Sequence, residues 1–182
     1  GCNLWTGLER DRAEAVCKFC DTDFVGTNGV SGGKFGSAEG LAGAVAAHWP
    51  QHAQGKPYVV CTGGEPLLQL DAALIAALHD EGFEIGIETN GTLLPPPGID
   101  WICVSPKADA EQVLMKGDEI KLIYPQEGAP PERYMAQDFR NFFLQPMDSP
   151  QRAANTEAAT AYCLANPQWR LSLQTHKLIG IR

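Results

Sequence analysis

The chain has 182 residues, 44% of them apolar, with a formal charge of -8 and a pI near 4.9. That is material for one well-packed core, and the acidic balance excludes a surface built to neutralise nucleic-acid phosphates, which gathers Lys and Arg. No apolar stretch reaches the roughly 20 residues of a membrane helix, and the N-terminus lacks the charged, apolar and small-residue order of a signal peptide; the expectation is a single cytoplasmic domain over 1–182 with no nucleic-acid or membrane partner.

The first chemistry met along the chain is that of thiols. Cys2, Cys17 and Cys20 crowd the N-terminal stretch, and Cys17-Lys18-Phe19-Cys20 places two of them on one tight turn. Cys2 joins them if the fourteen intervening residues loop outward. A closed zinc site usually takes four protein ligands, and no fourth Cys or His follows at finger-like spacing. Three cysteines fit better a cubane iron–sulfur cluster with one iron left open. A redox-active CxxC, or zinc shared with Cys61 or a His, is the alternative. Three disulfides are disfavoured, since nothing marks export. Residues 26–36, with five glycines and few apolar side chains, predict a surface loop that packs little.

Next, Ser37 predicts the N-cap of a helix carrying Leu41, Val45 and Trp49 and stopping at Pro50. Apolar runs that end at turn residues predict strands at 58–62, 83–89, 101–105, 119–124, 141–145 and 169–174. Between the first two, Leu67, Leu70, Leu74, Ile75 and Leu78 fall on one helical stripe that Gly82 can end in a left-handed conformation. Asn155 or Thr156 predicts the cap of a helix running to Leu164 and stopping before Pro167, and 95–98 and 125–131 read as loops. Cys61, Cys103 and Cys163 sit singly in apolar segments and read as small buried hydrophobes. His48, His52 and His79 fall on or beside helices and read as structural or solvated.

Alternating strands and helices predict an α/β fold with a parallel sheet, whose chemistry collects at the carboxyl ends of the strands. Those ends carry Thr62-Gly63-Gly64-Glu65-Pro66, Glu88-Thr89-Asn90-Gly91, Ser105-Pro106-Lys107 and Gln145-Pro146-Met147-Asp148. Taken singly each is an ordinary turn; together they predict a pocket rim. Two glycines let the backbone approach a ligand closely, and the Glu65 carboxylate can meet an ammonium.

These strand ends, with Gly1-Cys2-Asn3-Leu4-Trp5, Cys17-Lys18-Phe19-Cys20-Asp21-Thr22 and Gln174-Thr175-His176-Lys177, resemble the radical S-adenosylmethionine superfamily over nearly the whole chain. Within it the set is similar to the 7-carboxy-7-deazaguanine synthase family. The resemblance implies a partial (β/α)6-type barrel with a reduced helix set and an expanded cluster loop. It implies a [4Fe-4S] cluster on Cys2, Cys17 and Cys20, S-adenosylmethionine, and Mg2+ at Thr22. The implied reaction converts 6-carboxy-5,6,7,8-tetrahydropterin to 7-carboxy-7-deazaguanine with loss of ammonia, toward queuosine and related bases. An electron donor of flavodoxin-like or other type and a homodimer are implied as partners.

By the same resemblance Phe19, Gly63, Gly64, Glu65, Ser105, Lys107, Gln145 and Asp148 hold the cofactor, while Thr62, His176 and the terminal carboxylate of Arg182 face the substrate. A core aromatic is the alternative reading of Phe19, a turn residue that of Thr22, and a solvated side chain that of His176. The chain departs from the superfamily in two respects. The usual cysteine spacing is C-x3-C-x2-C, so residues within 6–16 must loop out, an expansion known among deazaguanine synthases. The family also carries a strand and a substrate-touching loop before the first cysteine; either these lie upstream of Gly1 or the barrel edge is built differently here, and substrate ligands from that region are not among the residues named. A glycyl-radical activase shares the cluster and the Gly-Gly-Glu motif but is disfavoured by the long cysteine gap and the Gln-Thr-His-Lys ending; a non-catalytic iron–sulfur or zinc module would have no use for four polar strand ends.

Overall fold

A computed structural model of the chain describes residues 1–50 and 52–181. Six strands form one sheet in chain order: β1 (Tyr58–Cys61), β2 (Glu84–Thr89), β3 (Trp101–Val104), β4 (Lys116–Tyr124), β5 (Asp138–Pro146) and β6 (Trp169–Leu171). All six coincide with predicted strands, and the fold is the expected α/β type. The chain groups into two compact units, one of Gly1–Thr89 with Leu93–Ile102, the other of Asn90–Thr92 with the residues from Cys103 onward.

In the first unit β1 and β2 pair parallel, Tyr58 opposite Glu84 and Cys61 opposite Ile87, so their carboxyl ends share an edge. The Ser37 hydroxyl accepts the Gly40 N–H at 3.1 Å and starts α1 (Ala38–Ala46) as predicted. The helix ends earlier than predicted, and turns carry the chain over the next three residues, because the residue before Pro50 is disfavoured in helical conformation. The single stripe predicted through Leu67 and Leu78 is divided. The Glu65 carboxylate accepts the Leu67 N–H and opens a 3-10 turn at Pro66–Leu68; Asp71 then accepts the Leu74 N–H at 2.9 Å and opens α2 (Ala72–Asp80). Two capping carboxylates six residues apart outcompete one continuous helix. Gly82 closes α2 at φ 84°, as its position predicts.

Helices α1 and α2 cover β2 with a core of Ala42, Leu70, Ile75, Leu78, Phe83, Ile85 and Ile87, and Trp49 meets Phe83 edge-on. One polar side chain completes this layer. The Asp100 carboxylate accepts the N–H of fully buried Ile85 at 2.8 Å and meets His79 Nε2 at 3.0 Å, while the Asp100 N–H donates to the Ile85 carbonyl at 2.9 Å. A side chain thus serves a strand donor at the point where β3 begins, and His79 is structural.

In the second unit β3 through β6 pair parallel, with eight registered positions between β4 and β5, from Lys116 opposite Asp138 to Tyr124 opposite Pro146. Both long strands begin before their predicted starts, because the first turns of each are polar: Asp118 and Arg140 form an ion pair at 3.3 Å. β6 is shorter than predicted, and Gln174 instead precedes a short helix, α4 (Thr175–Ile179). Helix α3 (Arg152–Ala165) starts ahead of both predicted caps. Asn155 donates to the Met147 carbonyl and Ser149 Oγ, and the Thr156 hydroxyl to the Arg152 carbonyl, so both serve inside the helix. Trp169, Tyr134, Ile120, Leu122, Leu144 and Ala159 fill the core of this unit. Among the described residues the connections β2 to β3 and β3 to β4 carry no helix and β4 to β5 only a 3-10 turn at Pro131–Tyr134, the reduced set expected. None of the described helices is long and apolar enough to cross a membrane.

Removing the Asp100 carboxylate leaves the Ile85 donor buried and unpartnered, which costs about 1–3 kcal/mol. Asp100→Ala is therefore expected to lower unfolding stability by that amount in urea, and Asp100→Asn, which keeps an acceptor, by less. The bond to the Ile85 N–H, with His79 second, holds the Asp100 carboxyl below the usual carboxylate range. Its contribution is complete above the unfolded carboxylate range and is lost as pH falls through the lowered folded value; a urea series toward acid pH is expected to show this loss in the wild-type chain and not in Asp100→Asn.

Candidate active site

The cysteine segment is organised by one carbonyl. Leu4, buried, accepts the N–H groups of Val16 at 3.0 Å and Cys17 at 3.2 Å, and its own N–H donates to Cys2 Sγ at 3.4 Å. The long gap is thereby pinched at its neck, with Cys2 and Cys17 bound to the same residue. Beyond the neck the chain forms a 3-10 turn at Glu9–Glu14, secured by Thr6 Oγ1 to Asp11 at 2.7 Å and by Trp5 Nε1 to the Leu8 carbonyl at 3.2 Å. Cys17 is buried and Cys20 half-buried, with Phe19 half-buried between them.

The Cys17 thiol beside it holds Cys20 down to about 6, against burial; the backbone N–H and hydroxyl of Thr22 act in the same sense and the Asp21 carboxylate in the opposite one. A thiol so lowered is a thiolate at neutral pH, the form that binds metal. Of the three cysteines expected to be small buried hydrophobes only Cys103 is buried, and its thiol donates to Glu119 at 3.4 Å; Cys61 and Cys163 are half-buried, and desolvation pushes both thiols up. Among the described residues no group of three His, Cys, Asp or Glu side chains is placed to hold a single metal ion. A cubane asks for something else: each thiolate binds its own iron, so the sulfurs need not meet at one point. A thiolate-forming Cys20 with Cys17 beside it, and Cys2 tied to the same Leu4, is a donor set that fits a cluster of that kind.

The turn after β1 is fastened to this segment. The Glu65 N–H donates to the Gly1 carbonyl at 2.8 Å. A Cβ on Gly64 would fall on that same carbonyl, 2.6 Å from its carbon and 3.1 Å from Cys2 Cβ, so only glycine allows the approach. Gly63 has φ 113° with open space around it, a backbone requirement and not a steric one. Glu65, 1% exposed, accepts the Thr89 hydroxyl at 2.8 Å and the Leu67 N–H at 3.1 Å, which is how a buried carboxylate is tolerated. Thr62 beside it is exposed. The structure therefore brings Gly63, Gly64 and Glu65 together with Cys2, and Thr22 with Cys20.

In the second unit Lys107 Nζ hydrogen-bonds Ser105 Oγ at 2.9 Å and the Ser105 carbonyl, gathering the two side chains at the end of β3. Buried Gln126 holds this tip by accepting the Ala108 N–H at 2.9 Å and donating to the Pro106 carbonyl at 3.4 Å. Gln145 lies half-buried near the end of β5, opposite Ile123. Asp148 pairs with Lys177 of α4 at 2.5 Å and stands 3.8 Å from Arg152. His176 on α4 is exposed, and Arg182 lies outside the described residues.

Sequence reasoning missed three residues here. Gln126 reads as one more amide in a loop, and nothing in the sequence marks it. Lys177 belongs to the quoted C-terminal motif, but its pairing with Asp148 has no local signal. Arg12 lies in a run of alternating charges, Glu9-Arg10-Asp11-Arg12, that reads as a solvated surface; its guanidinium lies 4.1 Å from the Trp5 ring centre and donates to two carbonyls of the cysteine turn.

No family model matches the chain. Among curated proteins it is 64% identical over 181 residues to the 7-carboxy-7-deazaguanine synthase of Caulobacter vibrioides and 65% identical over 181 residues to that of Bordetella pertussis, in each case covering 100% of this chain and 86% of the relative. The enzyme of the same name from Nitratidesulfovibrio vulgaris is 53% identical over 186 residues, with the same coverage. Among solved structures, QueE from Escherichia coli matches with a TM-score of 0.57 and 29% identity, over 75% of this chain and 63% of that one. Identity of this degree along its whole length means that the chain belongs to the 7-carboxy-7-deazaguanine synthase family.

Proposed function

We propose that this chain, as one radical S-adenosylmethionine domain, converts 6-carboxy-5,6,7,8-tetrahydropterin to 7-carboxy-7-deazaguanine with loss of ammonia, in queuosine and 7-deazapurine biosynthesis. The family supplies the reaction, and the observation that carries it to these residues is the joining of the Gly-Gly-Glu turn to Gly1-Cys2 by the Glu65 N–H. Two segments with separate tasks, cluster and cofactor, are held there as one.

When bound, the cluster and S-adenosylmethionine supply reductive cleavage of a sulfonium and a 5′-deoxyadenosyl radical. What falls to the chain is binding and aim, since a misplaced radical is quenched unproductively. Cys2, Cys17 and Cys20 are the proposed [4Fe-4S] ligands. Gly63 and Gly64 leave the backbone of the turn bare for the methionine part, and the Glu65 carboxylate answers its ammonium. Phe19 lies against adenine; Ser105, Lys107, Gln145 and Asp148 meet ribose and carboxylate groups with hydroxyl, ammonium, amide and carboxylate. Thr62, His176 and the Arg182 carboxylate face the pterin. Thr22 would supply one hydroxyl oxygen to Mg2+, which would polarise the substrate carboxylate when bound. A flavodoxin-like or other donor reduces the cluster, and the working form is a cytoplasmic homodimer.

Anaerobic reconstitution with iron and sulfide is the test. About four irons per chain are expected, with turnover of 6-carboxytetrahydropterin that drops at least tenfold when Mg2+ is withheld, and no turnover after Cys2→Ala, Cys17→Ala or Cys20→Ala. Cleavage of S-adenosylmethionine without pterin turnover would identify an activase, and no cleavage a non-catalytic module. A second set of variants addresses the turn. Gly64→Ala drives a methyl into the Gly1 carbonyl and is expected to abolish turnover while circular dichroism stays native. Glu65→Gln keeps the Thr89 and Leu67 bonds but loses the charge, and is expected to raise the KM for S-adenosylmethionine at least tenfold.

A further inference from the structure

The segment between Cys2 and Cys17 is not a bystander to the cysteine turn, because one of its side chains reaches back to it. Arg12 Nη1 donates to the carbonyls of Lys18 and Cys20, both at 3.0 Å. The other edge of the guanidinium takes the Glu9 carboxylate, Nε and Nη2 each at 2.8 Å, and its flat face covers buried Trp5 at 4.1 Å. Edge contacts and one flat face of the group are thus engaged. Trp5 in turn is fixed by its bond to the Leu8 carbonyl and by the edge of Phe24 at 5.7 Å.

Resting on the reading of Cys17 and Cys20 as cluster ligands, we propose that Arg12 is a positioning residue for the iron–sulfur cluster: it fixes the turn that presents the Cys17 and Cys20 sulfurs and places a permanent cation on the carbonyls of that turn. Two consequences follow from its chemistry. A planar fork held against an aromatic face binds two carbonyls in one geometry, which a flexible ammonium does not reproduce. The carbonyls of Lys18 and Cys20 flank the ligands Cys17 and Cys20 through the chain itself, so tying both to one rigid group limits how far the sulfurs can open and slows release of iron. A cation near a cluster also favours its more negative, reduced form, since net charge and surrounding dipoles set cluster potentials. The Glu9 carboxylate faces the same guanidinium and moderates that charge without removing it.

The test compares anaerobically reconstituted wild type, Arg12→Ala and Arg12→Lys by iron content, rate of iron loss to an excess of chelator, and one-electron midpoint potential by mediated titration, with thermal melting as a check on folding. Arg12→Ala is expected to lose iron at least fivefold faster and to shift the reduction equilibrium tenfold toward the oxidised form, about 59 mV. Arg12→Lys is expected to recover the potential and not the slow iron release. Equal release rates and potentials in wild type and Arg12→Ala would overturn the inference. Should Arg12→Ala not fold, Arg12→Lys decides alone: iron release within twofold of wild type would overturn it. Wild-type protein that takes up no iron would overturn instead the cluster reading on which it rests, an outcome distinct from the others.

Discussion

The hydrogen bond from the Glu65 N–H to the Gly1 carbonyl is the constraint on which the placement of the cysteine segment depends. It exists only because position 64 has no side chain, so that one backbone can lie directly on another. From that contact two chains of consequence run. One passes through Cys2 to Leu4, and so to Cys17 and Cys20. The other passes through the Glu65 side chain to Thr89 at the end of β2, tying the tips of neighbouring parallel strands together from the inside. A buried carboxylate is a costly choice for a structural brace. It is intelligible if the same group also serves a ligand, with the hydroxyl of Thr89 and the N–H of Leu67 fixing the carboxylate in place.

The same economy recurs along the polar strand ends of each unit. Ser105 and Lys107 are gathered into one group, Gln126 fixes the backbone behind them, and Asp148 is held between Lys177 and Arg152. These are preset arrangements, in which polar groups are held by neighbours before any ligand arrives, and such preorganisation is what makes electrostatic contacts effective in a binding site.

Much of this was legible in the sequence, for identifiable reasons. All six strands could be read because each carries an apolar run, the first five of them stopping at Gly, Asn or Pro; the starts of β4 and β5 could not, because Lys116, Asp118, Asp138 and Arg140 are polar residues whose pairing is visible only across the sheet. Ser37 marked its helix because a cap acts locally. Asn155 and Thr156 misled for the same reason: they have the chemistry of caps but spend it on Met147, Ser149 and Arg152 from inside α3. The continuous stripe from Leu67 to Leu78 hid the interruption at Asp71, where the cap outweighs periodicity. Among site residues, cysteines and the Gly-Gly-Glu turn are found by composition and spacing. Arg12 and Gln126 are not, since what distinguishes them is a partner several residues away in a fold the sequence does not draw.

The neck at Leu4 has a wider implication. Closing a loop of flexible chain carries an entropy that grows only with the logarithm of its length, and here the closure is made by two N–H groups on one carbonyl, independent of what lies beyond it. The count of residues between the first two cysteines can therefore vary at little entropic cost, so long as the pinch and the return of Arg12 to the cysteine turn are kept. Motifs defined by a fixed interval between cysteines pass over chains built this way, whereas a definition based on which backbone groups meet would keep them in the same class.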